Sequence, residues 1–156
     1  MNANRQAPVF GASEIEIAAE PDAVWDVLTD FERWTTWNPD VKAMSIGGDL
    51  APGTNFKWKA GPASITSTIQ CVERPRLIAW TGKTFGMSAI HVYRLDTRDG
   101  GTVVHTEESF EGWLARLLRG QMRKTLQKSL DSGLGHLKTR VQGTGQRGVP
   151  TVQPGH

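Results

Sequence analysis

A histidine, a tyrosine and a glutamate on two consecutive predicted strands are the side chains best suited to acid–base chemistry. His91 and Tyr93 share one face of the first strand, because side chains two positions apart point to the same side. If the two strands pair as a hairpin with Leu95 opposite Val104, His91 lies across from Glu108. An imidazole would then stand beside a carboxylate on a face that is otherwise apolar.

The pairing of His91 with Glu108 has two interpretations. Burying a carboxylate is costly unless it is paired, and a neighbouring histidine relieves this cost by taking up a proton. In one interpretation the pair, together with Tyr93, polarises a ligand carbonyl or acts as acid and base. In the other it only closes a hydrogen bond that fixes the sheet. Both depend on the register, because a slip of two residues would separate the two side chains.

The two strands belong to a series of short apolar runs that are separated by turn residues. Residues 13–18 alternate between apolar and acidic side chains, which predicts a first, half-buried strand. Two short helices are predicted next, over residues 21–30 and 31–37, and the Asn38-Pro39 pair closes the second. Six further strands are predicted as an antiparallel meander, over residues 41–46, 54–60, 64–72, 77–81, 87–95 and 102–111.

Residues 113–141 are predicted to form one long amphipathic helix, because apolar residues recur every three or four positions. Thr125, Ser129 and Gly133 lie beside the apolar stripe. Small side chains leave space that close packing normally removes. They either form the wall of a cavity or let the helix lie close to a sheet. No other predicted element is long enough to cover the concave side of a bent, seven-stranded sheet.

The composition of the 156 residues, of which 38% are hydrophobic, predicts one globular domain over residues 13–141. Residues 1–12 are predicted to be a flexible arm and residues 142–156 a disordered, Gly- and Pro-rich tail. With one cysteine, Cys71, and four histidines, we expect no disulfide framework, no metal site and no cofactor. No apolar run approaches the length of a membrane span, so we expect a cytoplasmic protein without membrane insertion.

Basic residues are concentrated on the predicted long helix. The net charge of the chain is only +2, which gives no reason to expect a nucleic-acid partner. We interpret the basic face as solvated; an interaction surface for another protein, centred on Arg119, Arg123 and Lys124, is the alternative. The basic residues of the helix are Arg116, Arg119, Arg123, Lys124, Lys128, Lys138 and Arg140, against Asp131 alone.

The order of the predicted elements resembles the START-like (SRPBCC) superfamily, and within it the polyketide cyclase/dehydrase and lipid-transport group. The segments that carry the resemblance are residues 21–28 (PDAVWDVL), 31–39 (FERWTTWNP), 76–80 (RLIAW) and 101–112 (GTVVHTEESFEG). It extends over residues 13–141 and implies an α+β helix-grip fold. In that fold a seven-stranded, antiparallel curved sheet wraps around a long C-terminal helix and encloses a deep, mostly apolar cavity.

Alternation along the strands selects the residues that would face this cavity. Phe56 and Trp58 share one face of their strand while Lys57 and Lys59 share the other, so the aromatic rings are expected to point inward. Trp80 is chosen as the inward residue of its strand. The predicted ligand-binding residues are Trp37, Phe56, Trp58, Trp80, Phe85 in a gate-like loop, Thr106, Phe110, Thr125, Ser129 and Gly133.

Binding or carriage of a hydrophobic small molecule, such as a lipid, polyketide or aromatic metabolite, is the leading functional hypothesis. A polyketide cyclase or dehydratase that uses His91, Glu108 and Tyr93 as catalytic residues is the second. A protein-interaction domain with a basic helix surface is the third. The sequence contains no nucleophile elbow, phosphate-binding glycine loop or paired acidic residues of the glycosidase kind.

Overall fold

A seven-stranded antiparallel sheet is the framework of the computed structural model, which describes the backbone of residues 1–147 and the side chains of residues 1–143. Successive strands are neighbours in the sheet except β1, which crosses over to pair with β7 in the order β1-β7-β6-β5-β4-β3-β2. The strands are β1 (Val9–Ile17), β2 (Val41–Ile46), β3 (Asn55–Ala60), β4 (Ala63–Glu73), β5 (Leu77–Thr84), β6 (Met87–Arg98) and β7 (Gly101–Glu111).

The helices lie where the sequence places them, in two groups. Between β1 and β2 the chain forms α1 (Pro21–Thr29), a 3-10 turn (Phe31–Arg33) and α2 (Trp34–Trp37). After β7 it forms α3 (Trp113–Leu117) and α4 (Arg119–Arg147). The predicted α+β, helix-grip fold class is confirmed.

The predicted single helix after β7 is wrong in one respect, because it breaks at Leu118. This residue ends α3 with φ −105° and ψ 24°. The backbone N–H of Leu114, in α3, donates to the Gly86 carbonyl at 3.2 Å, whereas Gln127 of α4 donates to the Ala12 carbonyl in β1 at 2.8 Å. α3 contacts β6 and β7, whereas α4 contacts mainly β1.

The outer boundaries of two elements also differ from the prediction. β1 begins at Val9, four residues before the predicted start, and Val9 is fully buried. The last helix continues to Arg147, six residues past its predicted end. Residues 148–156, in the predicted disordered tail, lie outside the described residues. The division of the chain into arm, domain and tail stays a prediction.

The first residues of the chain contact the outer face of the sheet at Glu107, whose side chain is 4% exposed. The Ala3 N–H donates to Glu107 Oε1 at 3.1 Å. Nitrogens of Arg94, Arg5 and His105 lie 3.6, 3.7 and 3.7 Å from its carboxylate oxygens. The predicted flexible arm therefore has defined contacts in the structure, and its flexibility stays a prediction.

The apolar stripe of α4 covers the concave face of the sheet, as its spacing indicates. The second half of the stripe belongs to a core cluster with Ile17, Val104 and Leu28. Its first two buried leucines belong to a second cluster with Val9 and Ala115. Burial of these groups removes apolar surface from water and is the main source of stability. The buried residues of the stripe are Leu126, Leu130, Leu134, Leu137 and Val141.

Gly112 connects β7 to α3 in a conformation that only glycine adopts readily. Its φ of 114° and ψ of 172° lie in a region that side chains exclude. A Cβ at this position would also lie 2.4 Å from the carbonyl oxygen of Gly86. The close approach holds the β5–β6 turn against the start of α3.

The variant Gly112→Ala is expected to lower the free energy of unfolding by about 1–3 kcal/mol from backbone strain alone, with the clash at Gly86 adding to this. Gly120→Ala is the matched control, since a Cβ there meets nothing within 4 Å and alanine favours a helix by up to ~1 kcal/mol. Urea unfolding followed by tryptophan fluorescence measures both variants. Equal stabilities would contradict the role given to Gly112.

Candidate functional site

A cavity of about 610 Å³ lies between the concave face of the sheet and α4. Side chains of β5, β6 and β7 form its floor, and α4 forms one wall. The segment around Pro39 and the β3–β4 turn at Gly61 and Pro62 form its rim. The floor combines Trp80 with the polar groups that the sequence places on β6 and β7.

Nine of the thirteen predicted site residues line this cavity. Thr125, Ser129 and Gly133 do so from α4, which favours the cavity-wall interpretation of these small residues. A Cβ at Gly133 would meet only Asn38 Nδ2, at 4.0 Å, so the helix leaves room there. Whether they contact a ligand stays a prediction. The other six are Trp58, Trp80, His91, Tyr93, Glu108 and Phe110.

The structure places two of the predicted aromatic contacts in the core instead. Phe56 is 1% exposed, because Phe31 and Trp80 cover its ring at centroid distances of 4.8 and 5.5 Å. Trp37 packs beside Trp34 at 5.9 Å and is not among the cavity-lining residues. Phe56 is buried, as expected of an inward-facing residue, but neither ring reaches the lining of the cavity.

The other two predicted residues that do not line the cavity are Phe85 and Thr106. Phe85 is 78% exposed at the β5–β6 turn and contacts Trp113 edge-on. The predicted gate loop is a tight hairpin turn, since β5 extends to Thr84 and β6 begins at Met87. Thr106 is fully buried behind His91.

Sequence reasoning missed cavity residues on α2 and β4. Trp34 lines the cavity in place of Trp37, and its Nε1–H donates to the Leu28 carbonyl at 2.8 Å. Ile65 and Ser67 also line it, and Ser67 Oγ accepts from the Nε1–H of Trp58 at 3.1 Å. Alternation along β4 could have identified Ile65 and Ser67. A one-turn helix gives no such signal for Trp34.

The predicted register of the β6–β7 hairpin is confirmed. Leu95 pairs with Val104, and His91 pairs with Glu108. His91 Nδ1 lies 3.3 Å from Glu108 Oε2, and both side chains are largely buried, at 8% and 12% exposure. An acid and a base therefore stand side by side at the cavity floor.

A directional chain of hydrogen bonds assigns the histidine tautomer. The Thr106 hydroxyl donates to the Val92 carbonyl at 3.0 Å, so it accepts from His91 Nε2, 2.9 Å away. A neutral His91 then carries its proton on Nε2, and Nδ1 is a lone-pair acceptor. Among the described groups, Nδ1 has no hydrogen-bond donor as a partner. A protonated Glu108 would be such a donor.

The protonation states follow from burial. Desolvation raises the pKa of Glu108 to about 8 and lowers that of His91 to about 3. Desolvation, and secondarily the charge of Glu108, also raises the pKa of Tyr93. These directions oppose the proton uptake by His91 that the sequence suggested. Both shifts favour the neutral forms of the pair, in which a protonated Glu108 would stand 3.3 Å from the Nδ1 lone pair.

Aromatic rings surround His91 and account for its desolvation. Tyr93 stacks on it at a centroid distance of 4.7 Å, with an angle of 28° between the planes. Trp80 contacts it at 4.9 Å. A charged imidazolium would lose its hydration here without gaining a well-formed hydrogen bond to Glu108 in exchange.

A curved antiparallel sheet that grips a C-terminal helix around a cavity defines the START-like class of proteins. The chain belongs to the polyketide cyclase/dehydrase and lipid transport family, whose model matches residues 12–142. No curated protein that was compared with the chain matches it.

Solved structures of low sequence identity share the fold. A hypothetical protein from Helicobacter pylori is 17% identical, with a TM-score of 0.78 over 90% of this chain and 97% of that one. A START superfamily protein from Mycobacterium smegmatis is 14% identical, with a TM-score of 0.68 over 86% and 98%. The di-domain ARO/CYC StfQ from the steffimycin biosynthetic pathway is 13% identical, with a TM-score of 0.75 over 88% and 52%.

The neutral pair predicts a particular dependence of stability on pH. Folded Glu108 keeps a proton that the unfolded chain releases above its ordinary pKa of 4.5, so its effect on stability becomes less favourable from pH 4.5 to about 8. His91 acts in the opposite sense, lowering stability as pH falls from 6.5 to about 3. Between pH 6.5 and about 8 only the glutamate effect remains.

The melting temperature of the protein is therefore expected to fall between pH 6.5 and about 8, and Glu108→Gln is expected to remove this fall because glutamine has no proton to lose. Glu14→Gln, at a side chain that is 55% exposed, is the control and should keep the fall. Differential scanning calorimetry across this range measures all three proteins. The same slope in Glu108→Gln as in the parent would contradict the neutral pair.

Proposed function

We propose that the protein binds or carries a hydrophobic small molecule in the cavity between the sheet and α4. The preformed cavity of about 610 Å³ is the observation that supports this most directly, because its size, its mainly apolar lining and its few convergent polar groups are typical of small-molecule sites. Membership of a family described by both polyketide cyclisation and lipid transport supports the same ligand class.

The polar groups at the cavity floor limit the chemical class of the proposed ligand. The neutral Glu108 carboxyl and the Tyr93 hydroxyl offer hydrogen bonds but no charge, so an anionic or cationic group would be desolvated there without a counter-ion. Asp40, Lys42 and Lys83 lie at the rim, where water is available to a charged end. The proposed ligand is apolar along its length, with a carbonyl or hydroxyl oxygen at the buried end.

Native mass spectrometry of protein purified gently from its own source, followed by denaturation and identification of released compounds, tests the proposal. Three of the six tryptophans, Trp34, Trp58 and Trp80, line the cavity. Their fluorescence is therefore expected to change when the released compound is added back to emptied protein. Protein that releases nothing and responds to no lipid or polyketide in a broad panel would overturn the proposal.

A large side chain introduced on the cavity side of α4 is expected to weaken ligand binding. Ser129 lines the cavity and is exposed to it, so Ser129→Phe places a ring in ligand space without disturbing the core. We expect an affinity loss of at least about tenfold, since the ligand would lose contact area. Fluorescence titration with the identified compound measures it.

Lys128→Phe is the matched control for Ser129→Phe. Lys128 is exposed on α4 and is not a cavity residue, so the same ring is added on the outer side. Unchanged affinity in Lys128→Phe together with the loss in Ser129→Phe would support the cavity as the site. An equal loss in both variants would contradict it.

A cyclase or dehydratase activity is the second candidate, and the adjacent neutral acid and base favour it. Glu108 holds a proton beside Nδ1 of His91, and both line the cavity. A protonated carboxyl could donate to a ligand carbonyl while the unprotonated imidazole nitrogen accepts a proton from carbon, as aldol condensation and dehydration require. Tyr93 could hold the ligand oxygen through its hydroxyl.

The two candidates differ in what Glu108→Gln and His91→Gln change. In an enzyme, either variant is expected to lower turnover by about 10²–10⁴-fold while ligand affinity changes only a few-fold, because the ligand's apolar contacts remain. Product formation from the compound class found in the cavity, followed by mass spectrometry, measures turnover. Unaltered compound after incubation with the parent protein would reject the enzyme and leave the carrier.

A further inference from the structure

Four exposed apolar side chains form a patch at the end of the sheet where α3 begins. Phe85, Trp113, Leu117 and Leu118 are 78, 58, 71 and 40% exposed. The Phe85 ring contacts the Trp113 ring edge-on at 5.5 Å, and Leu117 lies one helical turn after Trp113. We call these four residues the α3 patch. Contiguous exposed apolar surface of this kind marks interaction sites.

Backbone contacts hold the α3 patch in place. The Leu114 N–H donates to the Gly86 carbonyl in the β5–β6 turn. A Cβ at Gly86 would lie 2.9 Å from Leu114 Cβ and 3.0 Å from the Trp113 ring, so turn and helix are in close contact. The patch residues are therefore displayed by an ordered scaffold.

The α3 patch adjoins the lining of the cavity. Leu118 belongs to the patch and also lines the cavity, together with Gln121 and Met122 of α4. Met87, directly after the β5–β6 turn, lines it as well. Anything that covers the patch is next to these cavity-lining residues.

Basic side chains accompany the α3 patch. Arg116, Arg119, Lys124 and Lys128 are exposed, and none of them forms an ion pair with a carboxylate in the part of the chain that the structure describes. The nearest acidic residue along α4, Asp131, accepts hydrogen bonds from Ser13 and Gln127. Glu111, at the end of β7, accepts one from Asn4. The surface therefore favours an anionic partner.

We propose that the α3 patch and its basic residues dock the protein on the surface of an anionic lipid bilayer. A hairpin turn and a short helix that project aromatic and leucine side chains suit the boundary between head groups and acyl chains, while arginine and lysine reach lipid phosphates. Docking on the surface requires no membrane span, and none of the described helices is long and apolar enough to be one.

Docking goes beyond ligand binding and does not rest on it. The patch and the basic side chains lie outside the cavity, so empty protein is expected to bind a bilayer. The basic face of α4, which the sequence led us to interpret as solvated, would contact lipid head groups through its first turns.

Co-sedimentation of the full chain with vesicles tests the proposal. Vesicles of phosphatidylcholine alone are compared with vesicles that also contain phosphatidylserine, at low and at high salt. We expect at least about tenfold tighter binding to the mixed vesicles at low salt, and weaker binding at high salt because exposed charges are screened.

Two double variants separate the apolar and electrostatic contributions. Phe85→Ser with Leu117→Ser, and Arg116→Glu with Arg119→Glu, are each expected to lower binding to mixed vesicles by about tenfold or more. Lys57→Glu with Lys59→Glu is the control, because these exposed lysines of β3 carry the same change of charge away from the patch. Melting temperatures verify that every variant is folded.

Quenching of Trp113 by brominated acyl chains reports whether the patch enters the bilayer. The parent protein is expected to be quenched, and Trp113→Phe, which keeps an apolar ring, is expected to lose that quenching while it still binds. Equal binding to both vesicle types, no binding to either, or an equal loss in the Lys57 and Lys59 control would overturn the proposal. Binding to soluble polyglutamate but not to vesicles would also overturn it, in favour of an acidic protein partner.

Discussion

The volume of the side chains on α4 is the constraint on which the cavity depends. Where the helix presents leucines, such as Leu134, its side chains meet the sheet and fill the interior. Where it presents Thr125, Ser129 and Gly133, they are too short to reach the floor at Trp80. Protein interiors otherwise pack to the density of organic crystals. The leucine stripe of α4 thus packs against the sheet, while the neighbouring stripe of small residues leaves the space of the cavity.

The dry floor of this space determines what the polar groups can be. His91 and Glu108 would be a charged pair in water, but rings of Trp80 and Tyr93 remove their hydration. Neutral forms then become favourable, because an ion loses more by desolvation than a poorly aligned partner returns. Thr106 completes the arrangement by fixing the Nε2 proton. The same burial favours an un-ionised acid at the floor of the cavity.

Sequence patterns predicted the features that repeat and missed those that depend on a single turn. Alternation put His91 and Glu108 on the inward faces of their strands. It does not distinguish registers two residues apart, so their pairing depended on the assumed Leu95–Val104 register, which the structure confirms. A single helical turn contains no period, so nothing distinguished Trp34 from Trp37. The exposure of Phe85 depends on the length of the β5–β6 turn. The apolar residues and glycines of this segment do not determine that length. Tertiary packing decided these cases.

The break at Leu118 joins the cavity to the outer surface. A close contact between Gly11 and Leu126, where a Cβ would lie 3.2 Å from the leucine Cγ, fixes α4 against β1. The Gly86 carbonyl fixes α3 against the β5–β6 turn. Leu118 lies between these two contacts, partly exposed and also lining the cavity. At this end the apolar lining of the cavity therefore continues into the side chain of an exposed leucine.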